Sequence, residues 1–326
     1  MQIIPSTALA HPNIALIKYW GDLDPDLHIP ANGSISMNLR ELFTRTSVSF
    51  DSSLESDEFT LDDRRMTGTS LERVSKFLDR VRQVAGFRLF AKVESYNNFP
   101  TGTGIASSAS GFAALSLAAS KAAGLNLDEK ALSRLARTGS GSACRSIPTG
   151  FVEWQAGDSD ESSYAFSIAP PEHWDIVDCI ILVSKDEKPI SSRLGHSLAK
   201  TSVLQPARVA DAPRRLEICR KAIMNHDFEL LTRVVELDSN LMHAVMLTST
   251  PTLLYWQPAT VAIMEAVQSW RKEGLSVCYT IDAGPNVHII CVNDAFKEVE
   301  ARIQGLSGGN NILVTHPGGP TLLENH

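Results

Sequence analysis

A two-domain α+β fold is what this sequence predicts, and three observations carry the expectation. Segments of strand character alternate with segments of helical character along the whole chain, without internal repeats or low-complexity tracts. The length of 326 residues, with 43% hydrophobic and 21% charged residues, suits two packed cores rather than a disordered or fibrous chain. The composition then shifts at the polar stretch KDEKPISSRLGH, after which helices dominate from Gln205 to Met246. That stretch reads as mobile and sets the expected division, residues 1–184 and 185–326.

Taken in order, NIALIKYW, SISMNL, RTSVSF and LFAKVESYN read as short strands from their β-branched content and partial alternation, with a helix from about Ser70 to Val84 among them. NNFPTGTGIASSASGFAALSLAASKAAG, from Asn97 to Gly124, is a small-residue loop that opens into a long apolar helix stopped by Gly124. A second helix starts at Asp128 and runs toward Arg137, and WDIVDCIILVS is a buried strand. LSVCYTIDAGPNVHIICV reads as two strands joined by a DAGPN turn, flanked by helices around Ala259–Lys272 and Asp294–Gln304.

Composition narrows the partners. A formal charge of -7 argues against bulk attraction to nucleic acid or to an anionic membrane, so any phosphate must be held by a local cluster of cations. Five cysteines without CxxC spacing, several in apolar runs, suit buried reduced thiols and a cytoplasmic protein. The N-terminus lacks a basic region followed by an apolar core, and no run of about 18 apolar residues occurs. A soluble, unprocessed protein is expected.

The loop before the helix is the strongest local signal. Gly102 and Gly104 allow a tight turn and close backbone approach, while the first amides of the helix near Ser107 present the positive end of its dipole, an arrangement suited to phosphate. Taken alone it is equally an ordinary helix start capped by Ser107 or Ser108. It is neither a Walker loop nor a dinucleotide fingerprint. Lys18 and Tyr19 end an apolar strand, where they could reach a phosphate or simply meet solvent. In GSGSACRS, Arg145 offers a planar fork for a carboxylate, whether of a ligand or of a structural acid. ISSRLGH brings Arg193 beside two serines, with Lys185 and Lys188 upstream, as a nucleotide-binding loop or a solvated linker. DAGPN satisfies turn preferences on its own, yet Asp282 follows the apolar YTI, where a partly desolvated carboxylate can act on a substrate proton.

Assembled, these residues resemble the GHMP kinase superfamily and, within it, the mevalonate diphosphate decarboxylases. NIALIKYWG, NNFPTGTGIASSASGFAAL, RTGSGSACRSIPTGFVEWQ and YTIDAGPN match in order, with weaker matches at ISSRLGH, DSNLMHA and HPGGP, from Asn13 to Pro320. The resemblance implies an N-terminal ribosomal protein S5 domain 2-like domain and a C-terminal ferredoxin-like sandwich. It also implies ATP-dependent phosphorylation of the C3 hydroxyl of a 5-phosphorylated mevalonate, followed by loss of phosphate and carbon dioxide to leave an alkene. On the same basis Asp282 is the base or orienting carboxylate and Arg145 holds the C1 carboxylate, with Ser140 and Ser142 lining that region. Pro100, Gly102, Thr103, Gly104, Ala106, Ser107 and Ser108 hold ATP with Mg2+, Ser107 or Ser108 lying near the metal, and Lys185 and Lys188 close over the nucleotide. Lys18, Tyr19, Ser192 and Arg193 face the substrate and its 5-phosphoryl end. Homodimers are common in the family, and a homodimer is implied.

Two departures bear on the substrate. The family usually reads KYWGK where this chain has KYWGD, and often SSRxGM where this chain has SSRLGH. Asp22 therefore stands where a cation would help hold a diphosphate, penalising the larger anion by about 1 kcal/mol or more. His196 could donate a hydrogen bond to a monophosphate. The sequence expectation is decarboxylation of mevalonate 5-phosphate to isopentenyl phosphate, with the 5-diphosphate as the alternative substrate giving isopentenyl diphosphate. A mevalonate 3-kinase is disfavoured by the presence of both Asp282 and Arg145. A non-catalytic metabolite sensor on the same fold is the reading from another class.

Overall fold

The computed structural model describes residues 4–100, 107–184, 191–306 and 311–324. Its strands are β1 (Ser6–Ala10), β2 (Asn13–Ile17), β3 (Asp22–Asp24), β4 (Ile29–Pro30), β5 (Ser34–Asn38), β6 (Thr44–Asp51), β7 (Glu58–Leu61), β8 (Arg64–Arg65), β9 (Phe90–Asn97), β10 (Phe151–Gln155), β11 (Tyr164–Ala169), β12 (Ile176–Ile181), β13 (Val277–Thr280), β14 (Val287–Val292), β15 (Ile312–Thr315) and β16 (Leu322–Leu323). The helices are α1 (Thr69–Ala85), α2 (Ser107–Ala122), α3 (Glu129–Gly139), α4 (Ser192–Leu198), α5 (Gln205–Met224), α6 (Phe228–Leu247), α7 (Pro258–Lys272) and α8 (Asn293–Gln304).

Among the described residues the strands form a six-stranded sheet in the order β16-β1-β6-β9-β7-β8, four-stranded sheets β11-β10-β5-β2 and β13-β14-β12-β15, and a two-stranded sheet β3-β4. Helix α2 is rich in alanine and serine because it is covered on nearly every side, and its Ala113, Ala114 and Ala118 pack with Val48 and Val93 of the first sheet. Small side chains permit that close approach. Asp128 caps α3 by accepting from the Ala131 amide, which fixes where the following helix begins.

The third sheet is covered by α7 and α8 through Ile263, Val267, Val299 and Ile303. Its other side joins Ile14, Leu16 and Ile35 of the second sheet in a core filled by Cys219, Ile223, Leu231 and Val235 of α5 and α6. Sequence-distant strands β2 and β13 are thereby brought beside one core, which sets up the site between them. All five cysteines are buried and unbridged. Among the described residues no helix is long and apolar enough to cross a membrane.

One expectation is modified. The mobile reading of KDEKPISSRLGH does not hold for its second half: Ser192–Leu198 forms α4, with the Ser191 hydroxyl accepting from the Leu194 amide. Residues 185–190 lie outside the described residues. Strand β12 pairs with β14 and β15, which follow it in sequence, and β16 returns to pair with β1. A buried apolar strand carries no mark of which sheet it joins.

Candidate active site

Lys18 follows β2, and three side chains from distant segments fix its backbone. Its amide donates to Asp238 Oδ1 at 2.7 Å, and its carbonyl accepts from Asn32 Nδ2 at 3.0 Å and Arg208 Nη2 at 2.8 Å. Arg215 in turn donates to Asp238 Oδ2 at 2.7 Å. The Lys18 side chain is 1% exposed and its Nζ donates to Asp282 Oδ1 at 2.6 Å. Burial lowers the Lys18 ammonium pKa, and the charge and hydrogen bond of Asp282 oppose that drop. Asp282 follows β13, where the preceding Ile281 amide donates to Ser239 Oγ at 3.1 Å. The carboxylate is thus positioned by α6 on one side and by Lys18 on the other.

Arg145 lies in the 3-10 turn Gly141–Ser146 and is buried. Its guanidinium donates to Ser34 Oγ at 2.6 Å and to Asn13 Oδ1 at 3.3 and 3.1 Å, and no carboxylate bonds to it among the described residues. The structural acid left open by the sequence is therefore not seen. Asn13 is fixed in turn by donating to Ser146 Oγ at 2.8 Å and to the Ser142 carbonyl at 3.2 Å. At Gly141 an added Cβ would fall 2.7 Å from the Tyr19 ring, so only glycine lets this turn approach Tyr19.

A cavity of about 370 Å³ brings these groups together. Asp282, Arg145, Lys18, Tyr19, Asp22, Ser140, Ser142, Ser192, Arg193 and His196 all line it, as do Ser107 and Ser108. At the end of the cavity marked by Asp22, Tyr19 donates its hydroxyl proton to Asp22 Oδ1, and His28 Nδ1 lies 3.2 Å from Asp22 Oδ2. Burial raises the Asp22 pKa, but the His28 bond, the charge that His196 gains only in acid, and the Tyr19 bond outweigh it and hold the carboxyl below its ordinary value. His196 is packed between Tyr19 and Trp20, with ring centroids 4.1 and 4.5 Å away, and its Nδ1 accepts from the Gly21 amide at 3.1 Å. Burial pushes its pKa down to about 4, so it is a neutral imidazole with the proton on Nε2.

A second cavity, of about 780 Å³, is lined by apolar side chains including Phe59, Leu61, Val93 and Phe112, by Pro100, and by polar and charged groups including Asp62, Arg64, Ser95 and Asn97. It shares Arg73, Ser107, Ser108 and Arg193 with the first. Ser108 and Ser140 hydroxyls stand 3.2 Å apart at that junction. Gly102, Thr103, Gly104, Ala106, Lys185 and Lys188 lie outside the described residues. Sequence reasoning gave no role to His28, Arg73 or Asn13. Asn13 opens the quoted NIALIKYWG block and could have been found there; Arg73 and His28 sit in segments without a motif.

Comparison with known proteins gives this arrangement its context. Residues 10–165 match the family described as diphosphomevalonate decarboxylase-like N-terminal domain, and residues 179–314 match the mevalonate 5-diphosphate decarboxylase C-terminal domain. The chain belongs to the diphosphomevalonate decarboxylase family. The Candida albicans diphosphomevalonate decarboxylase is 38% identical over 301 residues, covering 87% of this chain and 83% of the relative. The enzyme of that name from Rattus norvegicus is 34% identical, covering 91% and 79%. Among solved structures, MDDEF in complex with MVAPP, AMPPCP and magnesium superposes with a TM-score of 0.94 at 37% identity over 99% of both chains. Staphylococcus aureus mevalonate diphosphate decarboxylase gives 0.94 at 38% identity over 98% of both. The two-domain GHMP kinase fold expected from the motifs is the fold of this decarboxylase family.

Proposed function

We propose that the chain catalyses ATP-dependent decarboxylation of mevalonate 5-diphosphate to isopentenyl diphosphate, with release of ADP, phosphate and carbon dioxide. One observation carries the reading: the Lys18–Asp282 pair and the Arg145 guanidinium, which has no carboxylate bonded to it among the described residues, line one cavity, which meets a second cavity of mixed apolar and polar lining at Ser107 and Ser108. The first cavity suits a hydroxy acid and the second a nucleotide base. Asp282 orients the C3 hydroxyl and takes its proton, while Arg145 holds the C1 carboxylate by the guanidinium fork that Asn13 and Ser34 fix. Phosphoryl transfer depends mainly on positioning and charge neutralisation, which these anchored groups supply.

The relatives' names favour the 5-diphosphate over the 5-phosphate expected from Asp22 and His196. Magnesium fits the donor set as a companion of nucleotide phosphates. Ser107 and Ser108 offer hydroxyls at the cavity junction, and no group of three His, Cys, Asp or Glu that could hold a metal occurs among the described residues. When bound, the ion would neutralise charge on the transferred phosphate.

A specific observation supports the 5-phosphate as a second reading. Asp22 lines the substrate cavity as a carboxylate, and the nearby His196 is neutral, so neither supplies the positive charge a diphosphate would draw on. Steady-state kcat/KM on mevalonate, its 5-phosphate and its 5-diphosphate separates the readings. The highest value on the 5-diphosphate supports the first and on the 5-phosphate the second, while turnover of none refutes both.

A further inference from the structure

Deeply buried arginines in this protein are ion-paired. Arg82 bonds Asp57 and Asp79, Arg137 bonds Asp160, and Arg208 and Arg215 share Asp238. The cost of taking a guanidinium out of water explains the pattern. Arg145 departs from it and faces the substrate cavity. Arg73, half-buried in the first turns of α1, likewise has no acid bonded to it among the described residues.

Among the described residues Arg73 donates through Nε and Nη2 to the carbonyl of Gly139, at 3.3 and 2.8 Å, and lies 4.5 Å above the Phe112 ring. No carboxylate bonds to it among the described residues. Burial and the charge of Arg193 push its pKa down to about 10, so the two cations lie close enough to act on each other. Both cations line both cavities, as do Ser107 and Ser108. Like charges held together at the junction of two cavities make a site for an anion that bridges them.

We propose that Arg73 is a catalytic residue that holds the γ-phosphoryl group as it crosses from the nucleotide cavity to the substrate cavity. The inference rests on the ATP-dependent reading above. As the substrate O3–Pγ bond forms, the Pγ–O bond to the β-phosphate breaks and the hydroxyl proton passes to Asp282. The C3–O bond then breaks with its electron pair leaving on phosphate, the C1–C2 pair becomes the C2=C3 double bond, and carbon dioxide departs. Through both steps negative charge stays on the phosphoryl oxygens, beside the Arg73 guanidinium. Ser107 and Ser108 flank the same position with hydroxyl donors. Arg73 thus complements Arg145: one guanidinium takes the carboxylate that leaves as carbon dioxide, the other the phosphate that leaves with the C3–O electron pair.

The test compares Arg73→Met and Arg73→Lys with the wild type. Titration calorimetry with magnesium and either AMPPCP or ADP reads nucleotide binding without turnover. Arg73→Met is expected to weaken AMPPCP at least about tenfold and leave ADP within about threefold, because only AMPPCP carries a γ-phosphoryl group. Its kcat is expected to fall about 10²- to 10³-fold, the loss typical of one positioned charge donor. Guanidinium added to the Met variant restores part of that kcat. Arg73→Lys, which keeps the charge without the fork, falls between. The melting temperature of the ligand-free Met variant is expected to match or exceed the wild type, since a cation without a counter-ion has been removed. Equal weakening of AMPPCP and ADP, or no weakening of either, overturns the assignment. A wild type that releases no carbon dioxide refutes the decarboxylase reading, while the AMPPCP-to-ADP comparison still decides the role of Arg73.

Discussion

Replacing Asp282 with Asn removes one charge and little volume, and its consequences for stability and for rate are separable. Lys18 Nζ and Asp282 Oδ1 are 2.6 Å apart, with the lysine 1% and the aspartate side chain 28% exposed. At that distance and an effective dielectric of 20 the gross attraction is about 6 kcal/mol, most of it offset by desolvation of the ammonium. Losing one member of a buried pair typically costs about 3–5 kcal/mol. Here the amide oxygen still accepts from Lys18 and Asp238 remains as a second negative charge acting on it. A loss of about 2 kcal/mol in unfolding free energy is therefore expected. The rate should fall much further, about 10²- to 10⁴-fold, because the amide cannot accept the C3 hydroxyl proton. Denaturant unfolding gives the first quantity, coupled ADP release gives the second, and AMPPCP titration checks that nucleotide binding is intact. A rate within tenfold of the wild type, with the variant folded, would refute the role given to Asp282.

Other outcomes follow from the same geometry. Arg145→Lys cannot reach Asn13 and Ser34 together as the guanidinium does; kcat/KM for the mevalonate substrate should drop about 10²-fold with AMPPCP affinity unchanged, and a drop in both would place the residue elsewhere in the machinery. His243 is buried and its pKa is pushed down to about 3 by burial and the charge of Lys18. Below its ordinary value of 6.5 the unfolded chain therefore binds a proton that the folded chain refuses, so stability declines as pH falls, by about 2 kcal/mol at pH 5. The stability gap between wild type and His243→Asn should narrow by that amount from pH 7 to pH 5, whereas a constant gap contradicts it. Exchanging both departures, Asp22→Lys with His196→Met, should raise the ratio of kcat/KM for 5-diphosphate over 5-phosphate by about tenfold, the factor that about 1.4 kcal/mol represents. An unchanged ratio would show that these positions do not read the phosphate.

Much of the fold was legible because its signals are local. The Ala-rich run after the serines could only be a buried helix, Asp128 marked a cap, and YTI and VHIICV bracketed a turn. The sheet membership of β12 was not legible, since a strand buried on both faces has the same sequence whichever neighbours it pairs with. Helix α4 was hidden in a polar stretch because its stability comes from contact: an added Cβ at Gly195 would fall 2.5 Å from the Trp20 ring. At the site, Lys18, Arg145 and Asp282 stood in recognisable blocks. His28 did not, and it changes the meaning of Asp22: a carboxylate read as an isolated charge reversal is in fact bonded by Tyr19 and His28. Arg73 reads as an ordinary helix-surface arginine until the cavities on either side of it are seen.

In the proposed reaction one cavity holds a carboxylate and a reactive hydroxyl together, so that phosphoryl transfer and loss of carbon dioxide are coupled. The most direct measurement follows ADP and carbon dioxide in the same reaction, with ATP, magnesium and the preferred phosphorylated mevalonate. One carbon dioxide per ADP is the predicted result. ADP without carbon dioxide would mark a 3-kinase, and nucleotide binding with neither product would mark a sensor; either would rule out the coupled decarboxylation.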